Sequence, residues 1–228
     1  EMIQSQEVFE GTIIITDHQT TGRGQRGNSW EAAIGQNLTL SLILKPTFLR
    51  ASDQFQLNVA VSLGVHEFLS QYLPEGLTIK WSNDIYHYDK KLGGILIENT
   101  LQGYNIGYSV IGIGLNINQT QFGVATASSL SLAANATQSY DLNTMLGQLA
   151  EKIEKYYLQI KQGYYESLKI QYLRVMYRYQ EWHYFRKNDE LFLGQIIGID
   201  QTGKLAIETE EEELLYFDFK EVQFVINP

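Results

Sequence analysis

The chain has 228 residues, 44% of them hydrophobic and 19% charged, enough for one substantial core with a small appendage and with no compositional sign of disorder. A net charge of −9 argues against a nucleic-acid partner, because neutralising phosphates needs a concentrated basic face. The lack of cysteine excludes disulfides, thiolate metal sites and cysteine nucleophiles, which fits a cytoplasmic protein, and no apolar run approaches the roughly 20 residues that span a bilayer.

Residues 1–10 are acidic and polar, unlike a signal peptide, and read as a loop or helix end, so further chain upstream is expected. Residues 12–17 are a β-branched run of strand length, and residues 38–45 are a second strand closed by Pro46. Ser52 is the expected N-cap of a helix reaching Tyr72, with Leu57, Val61, Val65, Phe68 and Tyr72 on one face. Strands follow at residues 77–81, 92–100 and 104–117, the last two forming a hairpin through residues 101–103. Residues 128–134 are a short connector. Asp141 or Asn143 opens a long helix whose apolar stripe is Met145, Leu146, Leu149, Ile153, Tyr156 and Ile160. Gly163 breaks it, and a second helix with Leu168, Tyr172, Val175 and Tyr179 runs to Gln180. From Trp182 the pattern changes to short strands, at residues 190–199, 204–210, 213–219 and 222–226, with turn chemistry at residues 200–203. That density predicts a small closed barrel. Glu208 and the acidic run at residues 210–213 read as a solvated turn.

Three stretches carry chemistry. Residues 22–28, GRGQRGN, are a GxGxxG string enclosing Arg23 and Arg26. Glycine lets backbone N–H groups approach a ligand, and arginine offers fork-shaped donors to carboxylate or phosphate. The string does not join a strand to a helix, as a dinucleotide fold requires, and the HRD and DFG signatures of protein kinases are absent. An anion-binding loop and a plain glycine-rich hairpin loop both remain open. Residues 80–84, KWSND, precede residues 91–96, KLGGIL. A strand-end Lys80, a carboxylate at Asp84, and Lys91 before Gly93 and Gly94 suit an ATP-like site, since lysine neutralises phosphate and a carboxylate can hold Mg²⁺. A polar turn at Asn83-Asp84 is the simpler alternative. Residues 112–118, GIGLNIN, place glycines inside an apolar strand, which marks a close approach of backbone or ligand. Asn116 has the donors and the acceptor for a purine edge or for a tight turn.

GRGQRGNSW, KWSNDIY, KLGGILIE and IGIGLNIN, in this order and at these separations, resemble the catalytic domain of biotin–protein ligases, in the monofunctional type without an N-terminal DNA-binding domain. The resemblance covers residues 11–132, and residues 194–226 are similar to that family's small SH3-like domain. It implies an α+β fold: a mixed β-sheet flanked by helices, like that of class II aminoacyl-tRNA synthetases, over residues 1–181. A small C-terminal SH3-like β-barrel would occupy residues 182–228. The implied activity forms biotinyl-5′-adenylate from biotin and ATP with Mg²⁺, with no prosthetic group, and passes biotin to a lysine of a biotin carboxyl carrier domain. No nucleic acid or membrane is implied as partner, and the protein would be a monomer or homodimer. By resemblance the catalytic cations are Lys91, Arg23, Arg26 and Lys80. Biotin would meet Gln19, Gly22, Arg23, Gly24, Lys91, Gly93 and Gly94. ATP would meet Gly27, Asn28, Trp30, Lys80, Asn83, Asp84 and Asn116, with Asp84 on Mg²⁺.

This sequence departs from the family at Gln25, where many relatives have arginine, and at Asn28, where many have arginine or lysine, so the loop's phosphate grip is thinner. Ser82 replaces the usual proline of KWPND, which predicts a looser turn. The family's Ser/Thr-Thr-Asn segment, expected ahead of Gly11, does not occur. The alternatives are a lipoate–protein ligase-like acyl-adenylate transferase, disfavoured by KWSND and GRGQRG, and a non-enzymatic biotin-responsive regulator, disfavoured by the acidic charge.

Overall fold

A computed structural model describes residues 8–25 and 29–225. In chain order the strands begin with β1 (Ile13–Ile15), β2 (Gly22–Arg23), β3 (Ser29–Trp30) and β4 (Leu38–Leu44), followed by helix α1 (Phe55–Ser70). Next come β5 (Leu77–Lys80), β6 (Asp84–His87), β7 (Lys90–Gln102) and β8 (Asn105–Leu115), then α2 (Leu130–Ala133), α3 (Leu142–Lys161) and α4 (Tyr165–Arg174). The chain ends in β9 (Trp182–Lys187), β10 (Glu190–Ile199), β11 (Leu205–Thr209), β12 (Leu214–Phe217) and β13 (Gln223–Phe224).

A six-stranded sheet runs in the order β1-β4-β8-β7-β6-β5. Its ladders are antiparallel. Parallel pairing enters at the bridges Ile79 to Met176 and Lys91 to Ala127, which give the sheet its mixed character. The two faces differ because the strands alternate. Leu40 and Leu42 on β4 oppose Ile113 and Ile111 on β8, and all four are buried. Against that face lie Leu57, Val61, Val65 and Phe68 of α1, with Met145, Leu149 and Ile153 of α3 in the same core. The opposite face carries Thr39, Ser41, Gly112 and Gly114, residues too small or polar to hold a second helix layer. That face is where a site can form.

Several local expectations are corrected. Ser52 does not cap α1: it lies inside a 3₁₀ turn (Ala51–Asp53), its hydroxyl bonds to Asp53, and α1 starts later. The connector at residues 128–134 contains the one-turn α2, whose N-terminus is capped by the Ser129 hydroxyl. α3 opens at Asp141 as expected, its carboxylate accepting from Thr144 N at 2.7 Å. α4 ends at Arg174 rather than Gln180, because the following backbone pairs with β5: Ile79 N donates to Val175 O and Tyr177 N to Ile79 O. The β7–β8 hairpin turns at Gly103 and Tyr104, since residues 101 and 102 are still paired.

The second sheet has five strands in the order β12-β11-β10-β9-β13, and among the described residues no ladder joins its edge strands β12 and β13. The strand expected at residues 222–226 is present as the shorter β13, whereas the sequence did not predict β9. Residues 210–213 are an exposed turn, while Glu208 belongs to β11. The sheet is seated on the first by Trp81, whose indole N–H donates to Gly203 O at 2.9 Å and whose ring lies 6.2 Å from that of Phe219. Among the described residues no helix is long and apolar enough to cross a membrane.

Candidate active site

The open face of the large sheet is the floor of a cavity of about 530 Å³. Its centre is a pair of glycines that the β7–β8 register sets side by side, Gly94 opposite Gly114. A Cβ at Gly94 would lie 3.2 Å from Asp84 Oδ1 and 3.5 Å from Lys91 Nζ, and one at Gly114 would lie 2.5 Å from the Trp30 ring. The contact at Gly114 leaves no room for a side chain, whereas a methyl group at Gly94 would fit only if Asp84 gave way by a few tenths of an ångström, so both neighbouring groups settle close to main chain. Lys91 Nζ and Asp84 Oδ2 form an ion pair at 2.8 Å, with the two side chains 33% and 29% exposed. The pair is open enough for a ligand to reach.

Trp30 belongs to the β2–β3 ladder, where Gly22 faces Trp30 and Arg23 faces Ser29. The start of the GxGxxG string is therefore one strand of an antiparallel pair, and it lines the cavity through Arg23, Gly24 and Gln25. Arg26, Gly27 and Asn28 lie outside the described residues. Arg23 reaches Glu98, Nη2 to Oε2 at 3.2 Å. The buried Trp30 Nε1 has no hydrogen-bond partner, an unspent donor beside the floor.

The turn between β5 and β6, where Ser82 stands in place of the usual proline, is held by hydrogen bonds. The Ser82 hydroxyl donates to Asn83 Oδ1 at 2.9 Å, and the buried Tyr172 hydroxyl donates to Ser82 O at 2.8 Å. Asn83 Nδ2 in turn donates to Ile95 O. Asn83 lines the cavity, yet its side chain is spent on holding β7.

Of the residues named from sequence, Gln19, Arg23, Gly24, Trp30, Asn83, Asp84, Lys91 and Gly94 are brought together around this cavity. Gly22 lines a second hollow that adjoins the first. Gly93 points the other way, packed where a Cβ would lie 2.5 Å from Leu115 Cδ2. Asn116 is also outside the lining: Nδ2 donates to Ser128 O at 3.0 Å, while its buried Oδ1 has no partner. That free acceptor is suited to an amino group.

Lys80 sits apart as well. Its ammonium lies 3.2 Å from the Tyr86 hydroxyl and over three rings, 4.6 Å from the centroid of Tyr86, 5.0 Å from Phe224 and 5.8 Å from Tyr177. Burial lowers its pKa to about 8, with Asp84 and Asp89 opposing the shift and Arg178 and Lys91 adding to it. The folded state thus holds this proton less well than the unfolded chain, whose lysine stays near 10.5. Between about pH 8 and 10.5 the unfolded chain binds more protons, so the Lys80 contribution to stability rises with pH in that window. Urea unfolding of wild type and Lys80→Met should show wild type gaining on the variant from pH 7 to 9.5; a constant difference would place the ammonium in a water-like setting.

Cavity residues that the sequence did not suggest include Glu98, Ser41 and Phe219. Glu98 was within reach, since strand alternation puts it on the face of Gly94 and Leu96. Phe219 comes from the turn between β12 and β13, with no local signal. Chemically, the cavity opposes the cations Lys91 and Arg23 to the carboxylates Asp84 and Glu98 on a floor of exposed backbone, an arrangement for binding anions and neutralising charge between them.

A sequence model of the biotin/lipoate A/B protein ligase family matches residues 1–116. The bifunctional ligase/repressor BirA of Bacillus subtilis is 30% identical over 208 residues, covering 89% of this chain and 63% of that protein. The biotin–protein ligase of Homo sapiens is 27% identical over 223 residues, covering 90% of this chain and 29% of that one. Among solved structures, biotin protein ligase from Aquifex aeolicus in complex with biotin and ATP shares the fold with a TM-score of 0.80 at 24% identity, covering 98% of this chain and 93% of that one. The Leishmania major biotin protein ligase in complex with biotinyl-5-AMP gives 0.62 at 20% identity, covering 95% and 92%.

Proposed function

The chain belongs to the biotin/lipoate A/B protein ligase family, and from that premise we propose that it activates biotin with ATP as biotinyl-5′-adenylate and transfers the biotinyl group to a lysine of a carboxyl carrier domain. The observation that carries this reading is the Lys91–Asp84 pair set against the Gly94–Gly114 floor, with Arg23 across the cavity. In the first step a biotin carboxylate oxygen attacks the α-phosphorus of ATP and pyrophosphate leaves. Two anions must be brought together, and Lys91 and Arg23 offset their repulsion. No protein nucleophile is needed, in keeping with the absence of cysteine. Trp30 shields the floor from water, which protects a hydrolysable acyl-phosphate. The free Asn116 Oδ1 suits the amino group of adenine.

Asp84 and Glu98 are the carboxylates lining this cavity, and among the described residues no group of three or more metal ligands is assembled. That donor set fits a Mg²⁺ ion arriving on the phosphates, which Asp84 would help to hold. The ion would supply further neutralisation of phosphate charge.

The relatives' names and the complexes with biotin, ATP and biotinyl-5-AMP support the choice of acid and nucleotide. The Bacillus relative extends well beyond this chain, which spans 63% of its length. We further propose a catalytic unit over residues 1–181, with a class II aminoacyl-tRNA synthetase-like sheet, and a small SH3-like unit over residues 182–228, in a cytoplasmic protein. The test is ATP-dependent attachment of radiolabelled biotin to a carrier domain, with lipoate as the control acid. Labelling by biotin and not lipoate is expected; labelling by lipoate alone would overturn the choice of acid, and labelling by neither would overturn the ligase.

A further inference from the structure

Next to the first cavity lies a second hollow of about 740 Å³, lined by residues 19–24 and 29–32 with Leu96 and Glu98. Arg23, Trp30 and Glu98 face both this hollow and the first cavity, so the two share a wall. One ion pair spans that wall: Arg23 Nη2 lies 3.2 Å from Glu98 Oε2 and Nη1 lies 3.5 Å from Oε1. With side chains 74% and 51% exposed, the pair is weakly held and can exchange partners. A phosphate in the first cavity, enclosed and close to Lys91, is a stronger partner for the guanidinium than a solvated carboxylate. Once Arg23 turns to it, Glu98 is left facing the second hollow with its charge uncompensated.

We propose that the second hollow receives the primary ammonium of the acceptor and that Glu98 is the carboxylate that binds it, released for that task when Arg23 engages the acyl-adenylate. This rests on the ligase reading. The sequence of events is then ordered by charge. Before activation Glu98 is neutralised and offers a cation little; afterwards it draws the amine to the wall behind which the acyl carbon lies. One proton leaves the ammonium by way of Glu98 to solvent. The amine nitrogen then bonds to the acyl carbon, the carbon–oxygen bond to phosphate breaks with its electron pair going to AMP, and the new amide nitrogen sheds a second proton to water.

The experiment supplies preformed biotinyl-5′-adenylate to wild type and Glu98→Gln, with Nα-acetyl-lysine methylamide as a cationic nucleophile or hydroxylamine as one uncharged at neutral pH. Transfer is measured above the uncatalysed rate at subsaturating nucleophile. The ratio of lysine to hydroxylamine transfer should fall roughly tenfold in Glu98→Gln, the scale of one charge-assisted contact, and recover in part in Glu98→Asp. An unchanged ratio overturns the assignment. An equal fall with both nucleophiles also overturns it, because Glu98 would then act on the intermediate through Arg23. A folded wild type that transfers to neither nucleophile sinks the ligase reading, and this assignment with it.

Discussion

Replacing Lys91 with alanine should lower the rate of biotin-dependent pyrophosphate release by about 10²–10³, the usual loss when one preorganised donor to a developing charge is removed. The reason is local. Lys91 is held at 2.8 Å from Asp84 and beside Gly94, so its ammonium stays at the floor rather than sweeping through solvent. A cation already in place incurs little reorganisation when the reacting anions meet. Because both partners are about one-third exposed, losing the pair should change stability by no more than ~1 kcal/mol. Wild-type unfolding with lost pyrophosphate release is the expected combination. A near-wild-type rate would remove Lys91 from the chemistry.

Replacing Trp81 with alanine should cost about 3–5 kcal/mol in urea unfolding, the range for emptying a large buried aromatic site. Trp81 is 7% exposed, packs on Phe219, and its indole N–H satisfies the carbonyl of Gly203. Phe219 also lines the cavity, so ligand affinity should fall together with stability. Trp81→Phe separates the two contributions, since it keeps most of the buried ring volume while giving up the hydrogen bond, which alone costs about 1 kcal/mol. A Trp81→Ala protein within 1 kcal/mol of wild type would mean that the sheets are joined elsewhere.

Much of the cavity was legible because its parts are local in sequence. Lys91, Gly94 and Asp84 fall on adjacent strands joined by a short turn, where charge type and alternation carry the information. The glycine-rich string left an anion-binding loop and a plain hairpin loop both open, and the pairing of Gly22 with Trp30 and Arg23 with Ser29 came only with the structure. The role of Lys80 could not be read in the same way. Its neighbours Tyr86, Tyr177 and Phe224 come from three separated segments, and no spacing within the chain announces that they converge. The end of α4 was misjudged for a similar reason: the apolar stripe continues past Arg174, but a strand edge at Ile79 competes for the same backbone and wins. β6 escaped notice because Ile85 and Tyr86 are buried together and the strand has no alternation to detect.

A pocket bounded by side chains can be enlarged or reduced by repacking, one methylene at a time. Here the deepest surface is peptide backbone, and Gly94 and Gly114 are bonded neighbours on the central strands. The reach of the mould is therefore set by the sheet itself, and it can only become shallower. Any lineage that comes to prefer a shorter acid has an obvious route, a methyl group at position 94, whereas one that needs a longer acid must lengthen the walls.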